Sequence, residues 1–407
     1  MFLDLIRRRN PALVRDAVEL HRSGAIPPNT SVIDLDAVRR NADAFLAECR
    51  VHGVTPFAMT KQIGRNPDVS AALAARGITH AVGVDLECAV AARAGGLRTG
   101  HLGHLVQIPR HSAGQAAALE PLFWTVFSEA KAHEAAAASR AAGRTQDVLL
   151  RIAAPGDRFY RGHEGGFAAD EVVAAADAID AIPGLRFGGV TSFPATLFDA
   201  EAGEARSTPN LATLTRAKER LLAARRENVE LNAPGTTSTS ILGTLAAAGA
   251  TQVEPGHGLT GTTPLHAVAD LVEDPAIVYV SEVSHLHGGE AFVFGGGLYV
   301  DPVLGDASTR ALVVGEGVEP DDVQPRPVDM PAANAIDYYA TIGVDAGPVA
   351  AGDTVVFGFR PQVFVTRGLT AAVSGVGTGA PVVHGIWSAD GSRPLSVDQA
   401  LAYGGSR

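Results

Sequence analysis

Between residues 31 and 258, short apolar, β-rich runs alternate with alanine- and leucine-rich stretches of helical period. Strands separated by helices return in the same direction, so this alternation predicts a parallel sheet of βα units rather than hairpins. The runs are SVIDL (31–35), PFAMTK (56–61), HAVGVD (80–85), HLGHLVQ (101–107), LFWTVFS (122–128), VLLRIA (148–153), FGGVTSF (187–193), VELNAPG (229–235) and QVEPGHG (252–258). Between them lie segments such as DEVVAAADAIDAI and LATLTRAKERLLAARRE, whose alanines and leucines favour helix. That makes nine strands, one more than a closed (β/α)8 barrel takes. SVIDL, which precedes the strand PFAMTK, is expected to pair outside the barrel.

Such a barrel absorbs roughly 250 residues, and this chain has 407. From about Pro264 the pattern changes to AIVYVSEVSHLH, AFVFGGGLYVD, ALVVGE, DTVVFGF and QVFVTRG, short strands divided by Gly, Pro and Asp turns. They read as an antiparallel β domain. The acidic, proline-rich VEPDDVQPRPVDMPAAN (318–334) reads as an exposed loop. The expected class is α/β: an N-terminal helical extension over 1–30, a barrel over 31–262 and a mostly antiparallel β domain over 263–407.

Charge and cysteine usage remove several function classes. The net charge is -11 and the one basic run is Arg7–Arg9, so nucleic acid is not an expected partner. No apolar stretch reaches the ~18 residues of a membrane span, and the N-terminus lacks a signal-type apolar run. Cys49 and Cys88 are the only cysteines, too few for a disulfide framework or a thiolate metal cluster, which fits a reducing cytoplasm.

Barrel enzymes carry their chemistry at the C-terminal ends of the strands, where the βα loops converge. Here those ends read Lys61, Asp85, Gln107, Ser128, Arg151–Ala153, Ser192 and Phe193, Asn232–Gly235 and Glu254–Gly258. A lysine partly removed from water loses charge more easily, and its free amine can attack a carbonyl; the bland reading of Lys61 is a side chain that snorkels to solvent. Thr236, Thr237 and Ser238 in NAPGTTSTS precede a helix, where hydroxyls and free amides can hold a phosphate or simply cap the helix. In EPGHGLTG the missing side chains of Gly256 and Gly258 let backbone amides, including that of His257, approach a phosphate. Loops after the seventh and eighth strands are the usual phosphate site of a barrel. A lysine, a phosphate cradle and the acid Glu254 point to pyridoxal 5'-phosphate, with Lys61 bound to it covalently, Glu254 on its ring nitrogen and Ser192 as a further cofactor-binding candidate. His101 and His104, three apart on a strand, should face opposite sides, which weakens a histidine metal site; no metal is expected.

These residues also carry a resemblance. VIDLDAVRRNADAFL (32–46), the spacing to Lys61, LNAPGTTST and EPGHGLTG resemble the alanine-racemase-type, fold type III pyridoxal-phosphate enzymes. MTKQIGRNP, GHLVQIP, SEVSH, GGG, IDYY and QVFVTR resemble the YhfX-like branch of that family, over residues 1 to about 385. The resemblance implies a barrel followed by a β domain, an N-terminal strand that joins the β domain, and a homodimer in which each β domain completes its neighbour's site. It implies a racemase or epimerase acting at Cα of a small amino acid-like substrate. Two departures widen the options. Glu254 stands where alanine racemases have arginine, and a carboxylate strengthens the electron sink. Phe294, in GEAFVFGG, stands where they have the tyrosine that faces the lysine, so the second base that racemisation needs must come from elsewhere. Tyr299, Tyr338 and Tyr339, with His285 and His287 beside them, are the candidates. Arg360 and His104 are candidates for substrate binding. A lyase or decarboxylase is the alternative, although Cys49 and Cys88 lie in the barrel half, away from the position of the decarboxylases' catalytic cysteine. Arg360 and Gln362 replace the metal-binding His/Cys pair of D-threonine aldolase-like enzymes. A third possibility is a cofactor-binding protein with little turnover, against which the intact β domain argues.

Overall fold

The computed structural model describes residues 2–300, 309–331 and 335–404. Eight parallel strands form the barrel: Thr55–Pro56, His80–Gly83, Arg98–Leu102, Phe123–Val126, Gln146–Ala153, Leu185–Thr191, Glu230–Asn232 and Gln252–Val253. Gln252–Val253 pairs with Thr55–Pro56, and a bridge between Ala58 and Ala81 joins the ring on the other side of the first strand. Most strand residues are buried, as expected where helices cover the outside, although Thr55 and Arg186 are exposed. Small side chains let those helices seat closely. In Glu129–Ala141, for example, Ala132, Ala135 and Ala136 are fully buried against the barrel wall.

The N-terminal strand Thr30–Asp34 lies outside the barrel, as the ninth-strand count requires. It runs antiparallel to Ile277–His287 and parallel to Leu369–Ser374 in the second sheet. By hydrogen bonding it belongs to the β domain, so a boundary at residue 31 cuts across the sheets. The remaining strands of that sheet, Arg310–Val314, Arg326–Pro327, Thr354–Phe357 and Val382–Ser388, are antiparallel to their neighbours, and Glu290–Phe294 and Tyr339–Gly343 form an antiparallel branch from the C-terminal half of Ile277–His287. Helices Phe2–Arg9 and Pro11–Arg22 cover one face, packing Leu13, Val14, Ala17 and Val18 on Val278, Val280 and Val356.

Three expectations need correction. QVFVTRG forms no strand: Val363–Val365 is a 3₁₀ turn that leans on the barrel mouth. The segment 318–334 is not simply an exposed loop, since Pro320 and Arg326 are buried and Arg326–Pro327 pairs with Arg310–Val314; its last three residues lie outside the described residues. HLGHLVQ is a strand only as far as Leu102.

Candidate active site

The segment after the first barrel strand answers why a lysine stands there. Past Ala58 the chain leaves the strand, and Lys61 opens a 3₁₀ turn, Lys61–Ile63. Gly64 closes it with φ 66, a left-handed conformation, and a Cβ there would lie 2.9 Å from Thr370 Cγ2. Asn66 caps the next helix by accepting from the amides of Asp68 and Val69 at 3.0 and 3.1 Å, with Pro67 in the first helical position. Its Nδ2 donates to Thr370 Oγ1 at 3.0 Å, which ties the turn to the β domain. Lys61 Nζ then lies 4.1 Å from the centroid of the Phe364 ring, within cation–π range.

Across the mouth a polar network runs through five strands. Glu254, 3% exposed, accepts from His101 Nδ1 at 2.6 Å and from Asn232 Nδ2 at 2.9 Å, both on Oε1. His101 Nε2 meets Thr125 Oγ1, and Thr191 Oγ1 donates to Asn232 Oδ1 at 2.8 Å, which leaves Nδ2 to face the acid. Glu254 Oε2 has no hydrogen-bond partner; His104 Nε2 lies 3.2 Å away. Burial raises the Glu254 carboxyl, but the two histidines and the hydrogen bonds from His101 and Asn232 outweigh it, and its pKa is lowered. Burial pushes His104 down to about 3, so its ring is neutral.

His101 and His104 therefore converge on one acid instead of facing opposite sides. The strand ends at Leu102, and Gly103 at φ 74 turns the backbone so that the two-residue alternation stops before His104. The ligand atoms of His101, His104 and Glu254 all lie within 4.8 Å of one another, a spacing compatible with a metal ion. Metal–ligand bonds of about 2.0–2.2 Å keep ligand atoms roughly 3 Å or more apart, whereas His101 Nδ1 and Glu254 Oε1 stand at 2.6 Å, in direct hydrogen bond.

Lys61, Glu254 and His104 line one cavity of about 460 Å³ at the mouth, together with Gln62, Tyr160, His163, Phe193, Gly235, Thr236, Thr237, Gly256, His257, Tyr299, Arg360 and Gln362. That volume suits a small cofactor with its substrate. The loops after the seventh and eighth strands touch where glycine is required: a Cβ on Gly258 would lie 2.4 Å from Thr237 O, while Gly256 packs against the Gln62 side chain from the loop after the first strand. Gly256 precedes the 3₁₀ turn His257–Thr260, whose first amides have no partner within the turn. His257 is neutral, held well below its usual pKa by burial and by Arg360, and its Nε2 donates to Pro361 O at 2.8 Å.

Other predicted residues stand apart from the cavity. Ser192 is buried and accepts from Asn210 Nδ2 at 3.2 Å, while its neighbour Phe193 forms the wall. Ser238 pairs with Ser240 at 2.8 Å. Asp85 and Ser128 are helix N-caps, and Gln107 braces Gly103, Thr125 and Phe127. Phe294 ends its strand with its ring 5.8 Å from Tyr339; His285 stacks on Phe292 at 4.5 Å. Tyr338, Tyr339, His285 and His287 line no part of this cavity; of the predicted tyrosines, Tyr299 does. Sequence reading missed Gln62, Tyr160 and His163. The chain has three lysines. Lys131 is engaged by Ile108 O and Glu134, and Lys218 by Gly249 O, which leaves Lys61 as the lysine of the mouth.

Comparison with known proteins agrees with this geometry. The D-threonine aldolase of Filomicrobium marinum has a similar fold, with a TM-score of 0.64 at 17% identity over 90% of this chain and 95% of that one. The D-threo-3-hydroxyaspartate dehydratase of Delftia sp. HT23 scores 0.62 at 20% identity over 87% and 96%. The alanine racemase of Clostridium difficile 630 scores 0.61 at 13% identity over 89% and 99%. At these identities the likeness is one of fold. The YhfX protein of Escherichia coli (strain K12) is 37% identical over 392 residues, 96% of this chain and 99% of that protein. Residues 33–264 match the alanine racemase N-terminal domain family, and residues 278–383 match the YhfX-like C-terminal domain. The chain belongs to the alanine racemase-type family, in its YhfX-like branch.

Proposed function

We propose that this protein is a pyridoxal-phosphate-dependent enzyme that racemises or epimerises a small amino acid or analogue at Cα. One observation carries the proposal: Lys61 shares a single cavity with the unpartnered oxygen of Glu254 and with the two glycine- and threonine-rich loops. Those features fit the cofactor. Lys61 would bind its carbonyl carbon, Thr236, Thr237 and the amides at Gly256 and His257 would hold its phosphate, and Glu254 Oε2 would accept from its ring nitrogen. When bound, the cofactor supplies an electron sink that acidifies the Cα hydrogen of an attached amino acid. The remaining work falls to the chain. The Lys61 amine exchanges a proton with Cα, the carboxylate of Glu254 holds a proton on the ring nitrogen, and Arg360 offers a fixed charge for a substrate carboxylate.

A lyase is the second reading, favoured by Glu254, because a carboxylate on the ring nitrogen strengthens the sink beyond what proton exchange needs. A homodimer belongs to the proposal: Ile336, Tyr338 and Leu286 of the β domain are 66%, 62% and 49% exposed, apolar side chains that a second copy could cover. The free, buried Cys49 and Cys88 fit a cytoplasmic setting. Among the described residues no helix is long and apolar enough to cross a membrane. Incubation of the loaded enzyme with single amino acid enantiomers in deuterated water tests the reading. Solvent label at Cα with inversion is expected; loss of carbon dioxide or ammonia would favour the lyase, and neither label nor such a product from any amino acid would overturn both.

A further inference from the structure

The base expected opposite Lys61 is absent at Phe294, and the barrel itself offers a replacement. We infer that His163 is the proton-transfer group that faces Lys61 across the cavity, an assignment that rests on the function proposed above.

The ring order of the barrel carries it. Lys61 follows the first strand and His163 follows the fifth, Gln146–Ala153, so that in a closed ring of eight the two loops stand diametrically opposed. Both side chains line the cavity between them. The His163 loop turns back over the mouth through a tight turn in which the His163 amide donates to Tyr160 O at 2.9 Å, with Gly162 at φ 88 in the third position.

The loop is anchored from below. Arg151 is fully buried between the rings of Phe127 and Phe159, with centroids 5.2 and 5.3 Å from its guanidinium carbon. Its Nη2 donates to His163 O at 2.9 Å and to Phe193 O at 3.1 Å, which fixes the histidine backbone against the opposite wall. The imidazole packs 5.8 Å from Tyr160 and 6.0 Å from Phe193, and its Nδ1 is buried with no hydrogen-bond partner. A buried, unengaged ring nitrogen on the wall of a ligand cavity has a partner still to meet. Burial, Arg151 and Lys61 keep the ring below its usual pKa, against a smaller opposing effect of Glu164, so it stands neutral and able to accept a proton.

The step balances without redox change. One of the two groups takes the proton as the Cα–H bond breaks, the electron pair stays with the bound substrate, and the other group delivers a proton to the opposite face. Solvent then exchanges with each nitrogen. Arg151 is a positioning residue in this scheme, and Tyr299, which lines the same cavity, contributes shape.

The test uses enzyme loaded with pyridoxal phosphate in deuterated water, with each enantiomer of several small amino acids. Wild type is expected to label Cα with inversion. His163→Gln should keep its cofactor absorbance, lose inversion by at least about 100-fold, as for removal of a general acid–base group, and retain labelling without inversion from one enantiomer. Tyr299→Phe should still invert. Inversion at the wild-type rate in His163→Gln overturns the assignment alone, as does its loss in Tyr299→Phe but not in His163→Gln. Wild type that labels no amino acid overturns the function and this assignment with it. A second readout needs no turnover. In protein labelled with ¹⁵N-histidine, the ring signal that disappears in His163→Gln should shift on titration with pyridoxal phosphate, and an unmoved signal contradicts its place on the cavity wall.

Discussion

Glu254→Gln removes one charge from the centre of the mouth and leaves the shape almost unchanged. The carboxylate accepts from His101 and Asn232 on Oε1 and leaves Oε2 without a hydrogen-bond partner beside the cavity it lines. Asn232 can only donate here, because its Oδ1 is taken by Thr191, so the single oxygen of a glutamine must turn toward Asn232. Its NH2 group then points into the cavity, where an acceptor stood. A hydrogen bond to a charged group contributes about 1.5–3 kcal/mol, and at 1.36 kcal/mol per decade its loss slows Cα proton exchange by roughly 10- to 150-fold. Lys61 and the phosphate loops are untouched, so the cofactor should remain bound. The assay is deuterium incorporation at Cα in the loaded variant, normalised to cofactor content from absorbance. Exchange at the wild-type rate with the cofactor in place would refute the role given to Glu254.

Gly258→Ala sets a Cβ 2.4 Å from Thr237 O, between the two phosphate loops; overpacking of about 1–3 kcal/mol should weaken pyridoxal phosphate binding about 5- to 150-fold in an absorbance titration, and unchanged affinity would contradict the cradle. Asn66→Ala removes a helix cap and the bond to Thr370, which should cost about 1–3 kcal/mol and lower the calorimetric midpoint; an unchanged midpoint would show that the lysine turn is held by other contacts. His104 is neutral in the fold, pushed down to about 3, while the unfolded chain takes up its proton near the usual value of 6.5. Its contribution is therefore complete above about pH 6.5 and is lost as the pH falls toward 3, so urea midpoints should decline from pH 7 to pH 5.

Most of the architecture is legible in the strand–helix alternation, because a parallel barrel imposes it locally: each strand is a short buried run and each helix an alanine-rich cover. The outlying strand is legible for the same reason, since eight strands close the ring and a ninth must pair elsewhere. Lys61, Glu254 and the two phosphate loops can be read because they sit at strand ends, where position alone gives direction. Legibility fails where the backbone leaves a regular period. Gly103 breaks the alternation before His104, so two histidines that seem to diverge meet on Glu254. QVFVTRG has strand composition, but its neighbours fold it into a 3₁₀ turn that brings Phe364 to Lys61. His163 lies in a glycine-rich loop with no period at all, and its direction is set by Arg151, a contact between a strand end and a carbonyl twelve residues on.

In the proposed function Lys61 carries the cofactor. With lysine present at only three positions, borohydride reduction of the loaded protein followed by peptide mass spectrometry decides it. A phosphopyridoxyl adduct is expected on the peptide containing Lys61, and none in Lys61→Ala. An adduct on Lys131 or Lys218, or a reducible absorbance band that survives in Lys61→Ala, would contradict it.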